Sequence, residues 1–295
     1  MLMRRHLPHY LMIAPFLILF GAFFLYPILS GLVYSFFEWN AVSLGDFVGF
    51  ANYFEIWDSR DFGRAAINLL VYISLTVPLG ITTAFLLALL VDSFTGRWAN
   101  FFRSAYFLPV ALPAFLAATI WRWIYAPNLG LLNMVLGWFD IPSVNFLNDT
   151  STMIYALIAV DICVSAGFNM VIILAGLKNI PKELYEAARL DGASKLQQTI
   201  FVTIPMLGPV LFFVLTYGVI SAMQVFDTPW LLTGSSFISY GGRRNALLFP
   251  VMDMMGRAFG SVSFGEAAAY GFMLTIVIVL ITLVMFAIRS RLSRQ

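Results

Sequence analysis

Residues 186–205 read EAARLDGASKLQQTIFVTIP, a polar, helix-patterned segment between two strongly apolar stretches of a chain otherwise short of charge. Of the 295 residues, 61% are hydrophobic and 11% charged, and the mean hydropathy is +0.88; a soluble domain carries about a quarter charged residues. This is the composition of a polytopic membrane protein. The net charge of +2, with basic residues scattered rather than gathered into one patch, gives no reason to expect nucleic acid as a partner. The single cysteine, Cys163, excludes a disulfide framework and a CxxC metal site, and its apolar surroundings suggest a packing residue.

A bilayer asks for roughly 20 apolar residues per crossing helix. Six stretches qualify, at about 10–36, 66–91, 102–125, 152–176, 207–232 and 267–288. The expected fold is all-α, with six transmembrane helices in a single membrane domain over 1–295. Arg4 and Arg5 precede the first stretch as they would in a signal peptide, but the apolar run from Leu11 to Phe37 is too long for a signal core, so a retained helix is expected.

Six crossings put both termini on one side, with the second and fourth connections. That side holds Arg4, Arg5, Arg97, Arg103, Lys178, Lys182, Arg189, Lys195, Arg289, Arg291 and Arg294; the other holds Arg60, Arg64, Arg122, Arg243, Arg244 and Arg257. Eleven against six predicts cytoplasmic termini. All three lysines fall in the segment around the opening quotation, which is therefore expected in the cytoplasm. Trp39, Tyr53, Trp57, Tyr125, Trp138 and Tyr240 are expected as interface anchors on the outer side, and Arg122 as a snorkelling cation. The stretch from Pro127 to Asp140 is apolar but too short to span, and reads as an interfacial helix. His6 and His9 have no Cys or carboxylate neighbours in sequence, so no metal site is expected.

In IPKELYEAARLDGASKLQQTIF (180–201), Pro181 suits the first position of a helix, Glu183 and Glu186 its positive end, and Arg189 its negative end. Leu184, Ala187, Ala188 and Leu190 form one small apolar face. Asp191 and Gly192 then interrupt the pattern as a turn before a second helix, with Gly192 able to take a positive φ. The alanines leave that face shallow enough for another protein to approach the backbone. Spacing alone also allows an amphipathic helix lying on lipid headgroups.

The segment resembles the EAA loop of ABC importer membrane subunits: Glu-Ala-Ala, three residues, Gly, nine residues, aliphatic, any, aliphatic, Pro. Glu186, Ala187, Ala188, Gly192, Val202, Ile204 and Pro205 stand in that register. The flanks SFFEW (35–39), FVGFANY (47–53), FFRSAYFLPVALPAFLAATIWRWIYAPNLGLLN (101–133), LAGLKNIPKELYEAARLDGA (174–193) and VFDTPWLLTG (225–234) are similar to carbohydrate permeases related to the larger maltose-system membrane subunit. The resemblance runs from about residue 11 to the C-terminus. It implies a bacterial or archaeal inner-membrane permease subunit importing a sugar, an oligosaccharide or a glycerol phosphate ester. The implied partners are a second, similar permease, a dimer of ATP-binding subunits and an external solute-binding protein, with membrane lipid around the spans. Segment 178–205 would carry the coupling contacts Glu186, Ala187, Ala188, Asp191, Gly192 and Ala193. Two departures bear on the substrate: Ser235 and Ser236 follow Gly234 where the family often has GGP, and Cys163 stands where tryptophan is frequent, which would widen the cavity.

No GxxxxGK[ST] occurs, nor any Gly-Lys pair, so no cofactor is expected on this chain; ATP and magnesium belong to the partner. No catalytic constellation is apparent either, so the chain reads as a translocation subunit and not an enzyme. A gradient-driven transporter would also lack a P-loop but would leave the EAA segment without a purpose, and a membrane glycosyl transferase would need clustered charges for a diphosphate and metal. An Asp in mid-helix costs about 2.5–3.5 kcal/mol on insertion scales, which makes Asp161 the strongest anomaly. Ser165, Phe168 and Asn169 share its helix face, and Tyr217, Ser221, Gln224, Asp227 and Trp230 form a second stripe. Both stripes offer a sugar hydrogen bonds and ring faces, or alternatively bond to neighbouring helices. Prolines 15, 27, 78, 109, 113, 205, 209 and 229 are expected to kink the spans.

Overall fold

The computed structural model describes residues 12–40 and 42–292; His6 and His9 lie outside the described residues. Helix α1, Met12–Tyr34, contains a π-helical turn at Gly21–Leu25 immediately before Pro27. A proline offers no N–H to the carbonyl four residues back and crowds it, and a π turn relieves that clash without ending the helix. The same device recurs in α9, Lys195–Met206, where a π turn at Thr199–Thr203 precedes Pro205. A two-stranded antiparallel ribbon, β1 (Phe37–Trp39) and β2 (Leu44–Phe47), follows α1 and pairs Phe37 with Phe47. After it come α2 (Ala51–Asp58) and α3 (Arg60–Ser93). At 34 residues and 1.5 Å per residue, α3 is longer than a bilayer core requires.

The expected span at 102–125 is not one straight helix. Helix α4, Gly96–Phe107, runs into a 3₁₀ turn at Leu108–Ala111, and α5, Ala114–Ile124, leaves at 98°. Pro109 and Pro113 each remove a backbone donor there, and the residue before a proline is driven out of the helical region; Leu112 is accordingly extended (ψ 129°). The expected span at 207–232 is also interrupted. Helix α10, Gly208–Met223, leaves α9 at a 69° bend and stops after 16 residues; α11, Asp227–Thr233, follows a short break. The remaining spans fall where hydropathy places them: α7 is Met153–Lys178 and α13 is Phe264–Leu292. Among the described residues, four helices are thus long and apolar enough to cross a membrane, or up to six crossings if each bent pair counts as one.

The stretch at 127–140 holds only the seven-residue α6, Leu131–Gly137, tied down by Asn133. The Asn133 amide donates to Ala126 and Val144 carbonyls and accepts from the Val144 N–H, all within 3.0 Å. Leu129, Trp138 and Phe139 around it are exposed. Tyr125 is not an interface anchor: it is buried, and its hydroxyl donates to the Ala156 carbonyl of α7. Cys163 is not a packing residue either, for its side chain is exposed on the outside of α7.

Helices α3 and α7 form the central pair. Alanines 65, 84 and 88 on α3 are fully buried, since small side chains let helices approach where lipid supplies no hydrophobic driving force. Gly167 serves the same purpose on α7: a Cβ there would overlap the Tyr106 carbonyl, so α4 rests on the α7 backbone itself. By contrast, the most apolar windows of α1 and α13 bury none of their residues within this chain, and Phe16, Phe20 and Phe24 stack along the outside of α1.

At the end of α3 near Arg60, a polar network holds α12, Pro250–Phe259, against α3 and α13. The buried Asp253 accepts from Arg257 Nε at 3.3 Å and from the Tyr240 hydroxyl at 3.2 Å. Arg257 also pairs with Glu266 and donates to Ser59 Oγ at 3.0 Å, while Ser59 caps the first turn of α3. Tyr240 is therefore an internal strut and not a free anchor; burial and the Asp253 carboxylate push its hydroxyl up to about 12. Nearby, Asn68 donates to the carbonyls of Asn245 and Leu248 at 2.9 and 3.0 Å. Those bonds clamp a turn in which Arg244 and Asn245 both take positive φ, and they seat Leu247, Leu248 and Phe249 in the core.

Replacing Gly167 by Ala is expected to cost about 1–3 kcal/mol through overpacking. Gly63→Ala, where a Cβ meets nothing, should be near neutral, as read by thermal unfolding in mild detergent. Burial raises the Asp253 carboxyl above its usual range, and Arg257 and Tyr240 pull it only partly back. A raised acid stabilises the fold fully below its unfolded value, about 4, and progressively less as pH rises through its folded value. Arg257→Gln removes the main counter-charge and raises Asp253 further. Its unfolding midpoint should fall more steeply than wild type as pH rises above about 4, with a deficit of about 3 kcal/mol at neutrality.

Candidate functional site

The polar stripes of α7 and α10 meet across a cavity of about 500 Å³ walled by α3, α7, α10 and α11. Asp161, Ser165, Phe168 and Asn169 line it from α7, Tyr217 and Ser221 from α10, Gln224 from the break, and Asp227 from the start of α11. All eight residues singled out for substrate contact therefore face one space. Trp230, expected in the same stripe, does not line it and packs between Phe226 and Phe237.

The break that opens this space has a local cause. Pro229 cannot donate to the carbonyl four residues earlier, so α10 cannot continue unbroken through it, whereas a proline fits the first turn of a new helix. Gln224 ends α10 with φ −106° and ψ 14°, and Phe226 stands at φ −144° before α11 begins. The interruption leaves backbone polar groups where they line a polar cavity, the setting in which membrane proteins tolerate them.

Asp161 lies half-buried at the cavity wall. Its Oδ2 accepts from the Tyr72 hydroxyl of α3 at 2.6 Å, and Thr228 of α11 lies within hydrogen-bonding reach. The carboxylate thus faces the cavity and also ties α7 to two neighbouring helices. Asn169 differs: it is 9% exposed, and its Oδ1 has no hydrogen-bond partner. A buried amide oxygen left unpaired costs about 1–3 kcal/mol; this one is itself closed off from solvent, although the residue lines the cavity. Thr76 Oγ1, also buried and lining the cavity, makes no bond of good geometry. Ring faces accompany these groups, with Phe168 and Tyr217 5.6 Å apart at 45°.

Tyr72, Thr76 and Thr228 were not singled out by sequence. Tyr72 and Thr76 stand four apart and so share a face of α3, but a tyrosine and a threonine in an apolar run carry no penalty like that of Asp161. Their proximity to Asp161 depends on how α3 packs on α7.

The segment that opens the sequence folds as helix, turn and helix. Helix α8 is Lys182–Leu190, and Pro181 sits one residue earlier than expected, at the N-cap. The turn is a Schellman closure: Ala193 N–H donates to the Ala188 carbonyl at 2.9 Å and Gly192 N–H to the Arg189 carbonyl at 3.1 Å, with Gly192 at φ +80°. Ser194 and Gln197 then form a reciprocal capping box that starts α9. Glu186, Ala187, Asp191 and Gly192 are exposed, and Ala188 and Ala193 are half-buried. Tyr185 bridges to Thr203 of α9 at 3.0 Å, latching the two helices. Leu190 and Leu196 are 89% and 69% exposed, an apolar flank on a segment that buries no residue of α8.

Among the described residues no group of His, Cys, Asp and Glu has the geometry to hold a metal ion. The arrangement offers a polar, aromatic-faced cavity inside a helical bundle and a projecting helix, turn and helix at one end of it.

Comparison with known proteins places this geometry. Residues 58–295 match the family described as binding-protein-dependent transport system inner membrane component. The chain is 32% identical over 278 residues to the arabinooligosaccharides transport system permease protein AraP of Bacillus subtilis, covering 93% of this chain and 86% of the relative. It is 31% identical over 230 residues to the trehalose/maltose transport system permease protein MalF of Thermococcus litoralis, covering 76% of each chain. Its fold matches a chain of the bacterial alginate ABC transporter, solved with an alginate pentasaccharide-bound periplasmic protein, at a TM-score of 0.85 and 23% identity, over 99% of this chain and 97% of that one. The chain thus belongs to the family of binding-protein-dependent transport system inner membrane components.

Proposed function

We propose that this chain is the translocating subunit of an ATP-driven ABC importer and carries a carbohydrate, a sugar or an oligosaccharide, handed to it by an external solute-binding protein. The observation that carries the reading is the cavity between α3, α7, α10 and α11, where Asp161, Asn169 and Gln224 line one space with the Phe168 and Tyr217 rings. Hydroxyl groups pair with such acceptors and amides, and the apolar face of a pyranose or furanose ring stacks on aromatics. Relatives named for arabinooligosaccharide and for trehalose/maltose transport support the same class. In this reading each bent pair crosses the bilayer once, giving six crossings with both termini in the cytoplasm. A second, similar permease completes the pathway.

Energy comes from a dimer of ATP-binding subunits that hold ATP and magnesium, since this chain has no P-loop. Segment 178–205 is the joint. Glu186, Ala187, Ala188, Asp191, Gly192 and Ala193 contact the ATPase, with Leu190 and Leu196 supplying exposed apolar surface. The latch between Tyr185 and Thr203 makes α8 and α9 move together, and α9 leads through Leu207 into α10 at the cavity wall. Leu207 is buried against Gly176 of α7, a pivot from which movement of the segment reaches the substrate.

Gentle extraction of the tagged chain from its native membrane should recover a P-loop ATPase, a second permease and a solute-binding protein, identified by mass. Recovery of the chain alone, under conditions that keep other importers whole, would sink the reading and favour a gradient-driven transporter. Gly192→Ala sets an L-residue in a left-handed conformation at a cost of about 1–2 kcal/mol, with no atom near the new methyl. It should leave membrane insertion intact while weakening ATPase recovery or uncoupling hydrolysis from uptake; a bulky Ala188→Leu should do the same by contact. Wild-type transport in both variants would count against the joint.

A further inference from the structure

We infer that the cavity selects uncharged glycosides and rejects anionic ones, uronates, sulfonated sugars and sugar or glycerol phosphate esters alike. The inference rests on the carbohydrate reading above and narrows it. Its basis is the charge inventory of the wall. Among the described residues, two carboxylates line the cavity, Asp161 from α7 and Asp227 from α11, and no Lys, Arg or His does. The other polar groups are hydroxyls and side-chain amides, which pair with sugar hydroxyls but carry no compensating charge. An anion entering this space would lose its hydration and meet two like charges in a medium far less polar than water, where repulsion is several-fold stronger than in bulk. A neutral sugar meets the opposite situation, because its hydroxyls are donors to those same oxygens.

The geometry adds that Asp161 is held in place. Tyr72 donates to its Oδ2 at 2.6 Å and so fixes the orientation of the carboxylate at the wall. Asp227 is exposed to the cavity and acts by charge alone. Among the substrate classes compatible with the sequence, the phosphate ester is therefore the one the cavity excludes.

The test uses the complex recovered from native membranes and placed in nanodiscs without the external binding protein, so that selection by that protein does not enter. Equilibrium binding would be measured for arabino-, malto- and galacto-trisaccharides, for the uronic acid trimer matching whichever binds, and for its phosphorylated form. The expected result is binding of at least one neutral trisaccharide, with its anionic counterparts weaker by roughly tenfold or more. Asp161→Asn and Asp227→Asn, made singly, should each narrow that gap by about threefold or more. Assembly of each variant into the complex with wild-type subunit stoichiometry and thermal stability shows that it is folded, and the exposed position of Asp227 makes Asp227→Asn the safer of the two. Anionic trimers binding as tightly as neutral ones, or a gap unmoved by both substitutions, would overturn the inference and leave the carbohydrate reading standing. Binding of none of the sugars, neutral or charged, would remove the carbohydrate reading and this inference together.

Discussion

A backbone inside hydrocarbon has no water to bond, so every peptide group in it needs a partner within the protein. That constraint governs this molecule through its prolines. Before Pro27 and Pro205 the helix widens into a π turn and continues. At Pro109 and Pro113 it bends by 98°, and ahead of Pro229 it stops and restarts. The outcomes differ because the surroundings differ. The stop ahead of Pro229 falls against Asp161, Tyr72 and Thr228, where freed groups meet polar company, and the bundle opens its cavity there.

A second consequence follows for packing. Helices α3 and α7 come together over alanines and Gly167, since in lipid close van der Waals fit and interhelical hydrogen bonds replace hydrophobic expulsion. Close approach sets Tyr72 within 2.6 Å of Asp161, converting an expensive charge in an apolar helix into a shared element of the cavity wall. Asn68 and the Asp253, Arg257, Glu266 and Ser59 network do the corresponding work at one end of α3, where they fix the loop at 240–249 and helix α12. The outer faces of α1 and α13 remain apolar and uncovered within this chain, suited to lipid or to another helical subunit.

The projecting segment obeys ordinary aqueous helix rules. A Schellman turn at Gly192 and a capping box at Ser194 satisfy helix ends that water would otherwise serve, and the Tyr185 bridge to Thr203 holds the two helices at one angle. The segment is therefore rigid although it buries no residue of α8. Its continuation into α10 places one end of a stiff element at the surface and the other at the cavity.

By itself the sequence determined the membrane class, the position of the long apolar helices, the helix, turn and helix at 182–206, and the two polar stripes on the fourth and fifth apolar stretches. Each of these rests on a local property: hydropathy, periodicity, the cost of an Asp in a span, or the freedom of a Gly. Only the tertiary structure decided that the third and fifth apolar stretches are broken, that Tyr125 and Tyr240 point inward and Cys163 outward, and that Tyr72, Thr76 and Thr228 complete the wall. A proline in an apolar run announces a missing donor but not whether the helix widens, bends or stops, because that depends on which neighbours satisfy the freed carbonyl. A tyrosine on an apolar helix likewise bears no mark of its partner, since the partner lies 89 residues away in the chain and meets it only through the packing of α3 on α7.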